Sequence, residues 1–375
     1  MICLQKQGNI NEVRKHNRNR IARYIQDSRT ASRQDIAQKL GYSMPTVFSN
    51  VTELMNMGLL CEAGEYGSTG GRRAKSLEIR KRYRYSVGMD ITKNHVRLIL
   101  MDIAGDVLDE SYHSYTYRDE EAYYQGLGAL LTAFLDRTAD SREKLIGVGI
   151  SVPGIVCPER EVLSRSHILE VRNISLKRFS QNIPYPVIFD NDANCAAYVE
   201  VEQEESTAYF SLCNTVGGAF YQNGRVCPGE NNKSGEFGHM IIHPHGRQCY
   251  CGKQGCLDAY CAVWVLQDSV DAKLEDFFEK LDAGDPECQI RWQDYLQNLS
   301  IAVSNIRMAL DCKIILGGYI SSFLPRYMPM FEAYIRTHNN FDADCSYISI
   351  GKYARLSSAM GAAQMVIHRY LDNLE

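Results

Sequence analysis

Four residues with metal-binding side chains lie close together near the middle of the 375-residue chain. His239 is followed by Cys249, Cys251 and Cys256, which gives the spacing His-x9-Cys-x-Cys-x4-Cys. One imidazole and three thiolates form a common tetrahedral zinc set, although the usual zinc knuckle has a Cys-x2-Cys pair. A loop of ordinary thiols is the alternative. Residues 243–256 are rich in glycine and polar residues, and a metal crosslink can hold such a loop where packing cannot. The sequence therefore favours zinc.

The other ten of the thirteen cysteines are scattered, and we expect them to be small buried apolar residues. The first twenty residues contain no apolar core and no small-residue cleavage site, so we do not expect a signal peptide. No apolar run approaches the ~20 residues that a membrane span needs. The expected location is therefore the cytoplasm, where thiols stay reduced.

Charge is distributed unevenly along the chain. Residues 1–85 hold 16 Lys and Arg against 7 Asp and Glu, and the remaining residues hold 25 against 38. A basic head on an acidic body indicates a polyanion, such as a nucleic acid, as a partner of the head alone. The alternative is the ordinary variation in charge among short segments.

The head has the pattern of a helix-turn-helix. A first helix is predicted over Asn17–Gln26. Ser32 and Asp35 form a capping box for a second helix, Gly41 permits a tight turn, and Ser43 can cap a third helix. The predicted inner faces of the second and third helices consist of Ile36, Ala37, Leu40, Val47, Val51, Leu54 and Met55.

A hairpin with a glycine-rich tip follows the three helices. Its predicted strands are Leu59–Glu62 and Lys75–Ile79. The tip between them, GEYGSTGGRR, ends in Arg72 and Arg73. A basic run, Arg80–Arg84, links this wing to the rest of the chain.

From Ser86 onward, strands and helices alternate as in an α/β fold. The predicted strands are residues 86–91, 96–103, 145–151, 187–189, 208–212, 218–222 and 313–316. The predicted helices are residues 120–135, a helix from about Asn191, and residues 259–282, 291–310 and 359–371. Hairpin turns are predicted at residues 104–106 and 223–224. The sequence shows no internal repeat.

Three motifs together resemble the ROK family of repressors, open reading frames and sugar kinases. The first motif is Gly235–His239 together with the cysteine loop (residues 243–256) and Gly255–Asp258. The second is Asn191–Asn194. The third is the wing sequence Ser68–Arg73, which is typical of the family's sugar-responsive repressors. The resemblance runs from about Asn17 to the C-terminus. It implies a winged helix-turn-helix followed by a two-lobed, actin-like (ribonuclease H-like) sugar kinase fold. The implied domains are residues 1–85, a first lobe of residues 86–204 and 357–375, and a second lobe of residues 205–356 with the zinc loop.

The resemblance also places a sugar site. Its contacts correspond to Asn191, Asp192, Glu236, His239 and Asp258, whose carboxylates and amides suit hydroxyl groups. It implies that the metal fixes His239 so that its free side faces a sugar hydroxyl. The family usually has glutamate at the position of Asp258, and a tryptophan where this chain has Leu169–Asn173. These departures favour a ligand other than glucose or N-acetylglucosamine.

The loops that hold nucleotide phosphates in the family's kinases are altered. The kinase motif Asp-Ile-Gly-Gly-Thr-Lys is here Asp90–His95, a Gly-Thr-Gly loop is Cys213–Thr215, and Tyr319 replaces a third glycine. Added side chains crowd backbone that must touch phosphates. We therefore expect no ATP cofactor and no catalytic residue, with Asp192 as a vestigial base. The alternative is an active ATP-dependent hexose kinase that also binds DNA.

The candidate DNA contacts lie on the third helix and on the wing. Residues at the start of the third helix would read bases in the major groove: Ser43, Thr46, Ser49 and Asn50. Arg72 and Arg73 would lie on phosphates or in the minor groove. Further backbone contacts are expected from Arg18, Arg20, Arg23 and Arg33.

Because operators of helix-turn-helix proteins contain two half-sites, we expect a homo-oligomer, either a dimer or a tetramer. The expected function is a transcriptional regulator, a repressor by family precedent, whose affinity for operator DNA changes with a sugar or sugar phosphate. Control by a protein partner is the remaining alternative.

Overall fold

The first elements of the chain form three helices and a three-stranded antiparallel sheet of order β1-β3-β2. They are α1 (Ile10–Asp27), β1 (Thr30–Ala31), α2 (Arg33–Leu40), α3 (Met44–Asn56), β2 (Leu60–Glu65) and β3 (Lys75–Ile79). The structure is a computed structural model, which describes residues 10–65, 75–138, 140–202, 205–267, 273–339 and 341–375. The order of elements is that of a winged helix-turn-helix. The predicted wing tip, with Arg72 and Arg73, lies outside the described residues.

Local signals set the ends of the head helices where the sequence predicts them. Ser32 Oγ accepts a hydrogen bond from Asp35 N at 3.1 Å, and the Asp35 carboxylate accepts one from Ser32 N at 2.9 Å, so the capping box is formed. Gly41 ends α2 with a φ of 70°. Ser43 caps α3. β1 was not predicted, because a strand of two residues carries no periodicity.

The chain then forms a five-stranded sheet with a small antiparallel sheet and helices around it. The strands of the large sheet are β4 (Tyr85–Ile91), β5 (His95–Asp102), β6 (Val107–Ser114), β7 (Leu145–Val152) and β11 (Val187–Asn191). The small sheet consists of β8 (Ile155–Cys157), β9 (Val162–Ser166) and β10 (Val171–Ser175). The helices are α4 (Glu121–Leu135), α5 (Ser141–Lys144), α6 (Lys177–Ser180) and α7 (Asp192–Glu200).

A second five-stranded sheet follows. Its strands are β12 (Thr207–Leu212), β13 (Val216–Gln222), β14 (Arg225–Val226), β15 (Lys313–Gly317) and β16 (Ile348–Ile350). The remaining helices are α8 (Asp258–Cys261), α9 (Leu274–Asp282), α10 (Pro286–Leu310), α11 (Met328–His338) and α12 (Ser357–Asp372). The prediction of one helix over residues 259–282 is wrong. The chain becomes extended at Ala262, with a ψ of 152°, and Val263 N donates to Cys213 O at 2.9 Å.

The two large sheets have the same strand order, β6-β5-β4-β7-β11 and β14-β13-β12-β15-β16. In chain order, the first three strands of each sheet pair antiparallel to their neighbours. The last two strands of each sheet, β7 and β11 or β15 and β16, run parallel to the first, β4 or β12. This duplicated architecture agrees with the predicted two-lobed fold. Among the described residues, no helix combines the length and the apolar character needed to span a membrane.

Helix α12 returns to the first large sheet and joins it to the head. Gly361 of α12 lies so close to α7 that a β-carbon would be 1.6 Å from Cys195 O, so the two helices pack with almost no space between them. One hydrophobic core contains Ile21 and Val47 of the head together with Ile367 of α12. The head, residues 10–79, is therefore packed directly against the rest of the chain, the body, and is not joined to it by the linker alone.

Candidate functional site

The four predicted metal ligands converge. Their ligand atoms all lie within 4.8 Å of one another. The sulfurs of Cys251 and Cys256 are 3.8 Å apart, and His239 Nδ1 is 3.9 Å from the Cys249 sulfur. Sulfur ligands at ~2.3 Å from a tetrahedral zinc lie about 3.8 Å apart, so this spacing fits the ion. Burial lowers the pKa of His239 to about 4, which keeps the imidazole neutral, as a metal ligand must be.

Backbone hydrogen bonds fold the cysteine loop so that these side chains meet. Cys249 N donates to Lys253 O at 2.8 Å, and Gly255 N donates to Arg247 O at 2.8 Å. Gly255 has a φ of 80°, and a β-carbon there would lie 1.7 Å from a neighbouring carbonyl oxygen. Glycine is therefore required at this position, and the turn that it permits leaves Cys256 fully buried.

A polar cavity of about 840 Å³ opens beside the cysteine loop. Four of the five predicted sugar contacts line it: Asn191, Asp192, Glu236 and His239. The structure does not bring Asp258 to this cavity. Its Oδ1 accepts a hydrogen bond from Val216 N at 2.6 Å, and its Oδ2 is buried without a partner in the described part of the chain. The short aspartate side chain is thus held inside the protein, where burial raises its pKa to about 7.

Asn191 is mainly the N-cap of α7. Its Oδ1 accepts hydrogen bonds from Ala193 N at 2.8 Å and Asn194 N at 3.2 Å. Its Nδ2 donates to Gly154 O at 2.8 Å. One amide hydrogen therefore remains to donate toward a ligand, and the first task of the side chain is to fix the start of the helix.

Asp192, the first residue of α7, faces the same cavity. Its pKa is raised to about 7, chiefly by burial and then by the carboxylates of Asp90 and Glu236. Burial also raises the pKa of Glu236. A carboxyl group that is half protonated near neutral pH can accept a hydrogen bond from a hydroxyl or donate one to it.

Two aromatic rings that the sequence analysis did not identify also line the cavity. The His167 ring lies 5.8 Å from that of His239 and 5.9 Å from that of Tyr250, and Tyr250 Oη is 3.4 Å from His239 Nε2. His167 precedes Leu169–Asn173, the stretch that corresponds to the family's tryptophan. Tyr250 carried a usable signal, because an aromatic residue between two metal ligands must lie beside the site.

A second cavity of about 340 Å³ shares Asp192 with the first. Side chains of the altered loops line it, including Thr92, Asn94, Thr215 and Tyr319. Thr92 Oγ donates to a carbonyl in its own turn at 3.2 Å. The neighbouring Lys93 forms an ion pair with Glu170 at 2.7 Å. Side chains of the altered loops thus form part of the wall of this second cavity.

The predicted base-reading residues of α3 do not share one face. Ser49 is exposed, and the hydroxyls of Ser43 and Thr46 are bonded to each other at 2.8 Å. Asn50 is buried at 2% exposure, and its Nδ2 donates to Thr46 O at 2.8 Å. The expectation that Asn50 reads bases does not fit this structure, because its position on the helix turns it toward the core, beside Val47 and Val51.

Two of the arginines expected on DNA are instead bonded to the C-terminal residues of the chain. Arg18 is 7% exposed, and it donates to Glu53 Oε1 at 2.5 Å and to Leu374 O at 2.7 Å. Arg23 pairs with Asp372 at 3.2 Å. These side chains join α1 to the body. Of the four, Arg20 is exposed and Arg33 is half-buried.

Comparison with known proteins settles the family. A family model described as the ROK family matches residues 86–369. The chain belongs to the ROK family. The resemblance seen in the sequence is therefore confirmed.

Relatives of this ROK protein include repressors. The xylose repressor of Bacillus spizizenii is 28% identical over 376 residues, covering 96% of this chain and 97% of the relative. The transcriptional dual regulator NagC of Escherichia coli is 25% identical, covering 70% of this chain and 66% of the relative.

Solved structures share the fold. A ROK family transcriptional regulator, described as a homologue of the E. coli MLC protein, matches with a TM-score of 0.74 and 20% identity over 96% of this chain and 97% of its own. A ROK glucokinase from Streptomyces griseus, in complex with glucose and AMPPNP, matches with a TM-score of 0.65 and 20% identity over 75% of this chain and 98% of its own. The predicted fold class, an N-terminal head on a two-lobed actin-like body, is confirmed.

Proposed function

We propose that this protein is a sugar-responsive transcriptional repressor, in which the kinase-like body binds the sugar and the winged head binds operator DNA. One observation carries the proposal: a cavity lined by Asp192, Glu236 and His239 lies in the same rigidly packed chain as a winged helix-turn-helix. The xylose repressor, which is similar over nearly the whole chain, supports it.

Carboxyl groups and an imidazole around one cavity suit a ligand with several adjacent hydroxyls. The walls of His167 and Tyr250 offer ring faces against which the C–H face of a sugar can pack. The effector is a sugar or sugar phosphate, and D-xylose is the first candidate to test because of the relative's name. Bound sugar would shift the protein between two states that differ in DNA affinity.

The test is fluorescence anisotropy with the full-length chain and a labelled duplex selected by the protein from a random pool. A panel of pentoses, hexoses and their phosphates is added. We expect one member to weaken DNA binding by at least about 5-fold. Glu236→Gln should abolish this response and leave DNA binding intact. If no sugar or sugar phosphate changes the affinity, the proposal is wrong.

We further propose that the cluster of His239 and the three cysteines holds one structural zinc ion. When bound, zinc would crosslink the cysteine loop. The loop in turn would hold the His239 ring at the cavity wall, with its Nε2 beside Tyr250 Oη. The support is the donor set and its spacing.

We also propose that the body does not transfer phosphate from ATP. Side chains of residues 92–95 and 213–215 line the second cavity, whereas phosphoryl transfer needs backbone N–H groups to reach the phosphates. A coupled ATP-consumption assay with the sugars of the same panel tests this point. Turnover above background would favour the alternative, an active sugar kinase that also binds DNA.

The proposed repressor acts as a homodimer or homotetramer, since two heads match two half-sites. The proposed division is a head of residues 1–85, a first lobe of residues 86–204 and 357–375, and a second lobe of residues 205–356. Arg72 and Arg73 remain the proposed wing contacts, with Ser43, Thr46 and Ser49 on α3. Light scattering on the purified chain measures the oligomeric state directly.

A further inference from the structure

The outward face of α3 is apolar at its N-terminal end. Met44 is 46% exposed and Phe48 is 61% exposed. They stand four residues apart on one helix, so their side chains are neighbours. Pro45, between them in sequence, is also exposed. Single exposed apolar residues are common, but a contiguous patch indicates a binding surface.

The polar groups of this helix are largely committed to the protein itself. Thr52 Oγ donates to Phe48 O at 2.8 Å, and the Ser43 and Thr46 hydroxyls bond to each other. Asn50 is turned inward. Ser49 is exposed and has no side-chain hydrogen bond within the described part of the chain. The first three turns of α3 thus present the apolar side chains of Met44, Pro45 and Phe48 beside a few hydroxyl groups.

The side chain of Arg33 packs against one face of the Phe48 ring. The guanidinium of Arg33 lies 5.7 Å from its centre, and Arg33 Nη2 lies 3.9 Å from the Met55 sulfur. A cation over the ring face restrains the side chain. Such a restraint lowers the entropy that the side chain loses on binding.

The charge around the patch indicates which partner covers it. From Met44 to Thr52 the helix carries no charged residue, whereas residues 1–85 carry 16 Lys and Arg against 7 Asp and Glu. An apolar helix face within a basic head fits the floor of a DNA major groove, with phosphates on both sides. The apolar group that the major groove offers is the C5-methyl of thymine.

We infer that Phe48, with Met44 beside it, selects operators by contact with thymine methyl groups. This inference rests on the proposed DNA-binding function. It makes Phe48 a specificity-determining residue and predicts a thymine at a fixed place in each half-site, with fewer positions read by hydrogen bonds.

Replacing thymine by uracil removes that methyl group and nothing else. The experiment selects duplexes with the full-length chain and then measures Kd for each thymine-to-uracil replacement. Burial of one methyl group corresponds to about a 4-fold change in affinity, so we expect a 3- to 10-fold loss at one or two thymines of each half-site. Phe48→Ala should bind thymine and uracil duplexes equally at the position that it contacts. Ile290→Ala, an exposed apolar residue on α10, is the matched control and should retain the wild-type difference.

The outcomes separate the two proposals. If no duplex is selected, the DNA-binding function itself fails, and this inference fails with it. If duplexes are selected but wild-type protein binds the thymine and uracil forms equally at every position, the inference alone is overturned. The measurement on wild-type protein decides the point even if Phe48→Ala folds poorly. A Phe48→Ala variant that folds and still discriminates would also overturn it.

Discussion

At the scale of single residues, the titration of the Asp192 carboxyl group in the cavity makes the stability of the folded protein depend on pH. Burial and two nearby carboxylates raise its pKa to about 7, above its value in the unfolded chain. The folded protein therefore binds this proton more tightly than the unfolded chain. The resulting stabilisation is complete below about pH 4 and is lost as the pH rises through about 7.

Asp192→Asn removes this titration. At pH 8 the wild-type protein carries a buried charge that the amide lacks, so we expect the variant to melt about 1 to 3 °C higher. At pH 5 the wild-type group is largely protonated, so the two melting temperatures should converge. Thermal unfolding between pH 5 and 8 measures the difference. Asp109→Asn, a change on the edge strand β6, serves as control, and a pH-independent gap would contradict the assignment.

The proposed zinc site is tested at a single residue, Cys251. If it is a zinc ligand, Cys251→Ser should reduce bound zinc from about one ion per chain to a small fraction. The same variant should lower the melting temperature by at least about 5 °C, since the loop loses its crosslink. Metal analysis and thermal unfolding of protein purified without chelators provide both readings. Cys227→Ser, a half-buried cysteine outside the cluster, should change neither. Wild-type protein that holds no zinc would refute the assignment.

At the scale of elements, a buried guanidinium is one of the groups that join α1 to the C-terminal residues. Arg18 and Arg14 both pair with Glu53, at 2.5 and 2.7 Å, but Arg18 is buried and also bonds Leu374 O. Removing Arg18 leaves a buried carbonyl unpaired, so Arg18→Ala should destabilise the chain by about 2 to 3 kcal/mol. Arg14→Ala, whose side chain is 57% exposed, should cost less than about 1 kcal/mol. Equal losses in urea unfolding would contradict this reading.

The elements also show what sequence can and cannot predict. The caps at Ser32 and Ser43 depend on neighbours within three residues, so local rules placed α2 and α3 closely. The edge strand β6 was missed, because its exposed residues are mostly polar. The inward turn of Asn50 and the docking of Arg18 depend on what packs against them. The groups that pack against these two side chains are distant in sequence, so a local sequence pattern does not reveal them. The equal strand order of the two sheets likewise leaves no trace in the sequence.

The same limits apply to the candidate site. Its metal ligands lie within eighteen positions of one another, and their types and spacing, together with the family resemblance, predicted them. His167, in the turn after β9, and Tyr250, in the cysteine loop, reach the cavity through the fold. Asp258 belongs to a known motif, yet the structure turns it into the core because its carboxylate is bonded to Val216 N. Motifs identify the residues of a site more surely than they identify which way each side chain faces.

At the scale of the whole molecule, one imidazole joins the helix of the cavity to the helix of the head. His368 of α12 is 4% exposed. Its Nδ1 is 2.7 Å from Tyr198 Oη on α7, and its Nε2 is 2.9 Å from Gln26 Oε1 on α1. Burial lowers the pKa of His368, and its Nε2 also lies 3.1 Å from Asp27 Oδ1 on α1. Helix α7 begins at Asp192, so this junction connects the cavity to the head through bonded and closely packed groups.

Tyr198→Phe removes one hydroxyl from this junction and leaves the cavity untouched. If the junction carries the sugar response, the ratio of operator Kd with and without sugar should fall at least about 3-fold, while Kd without sugar stays near wild type. The thermal shift caused by the sugar should also persist, because the binding groups remain in place. Tyr334→Phe on α11, outside the junction, is the control. A Tyr198→Phe variant that keeps the full sugar response would show that the signal reaches the head through apolar packing between α7 and α12, without need of the imidazole.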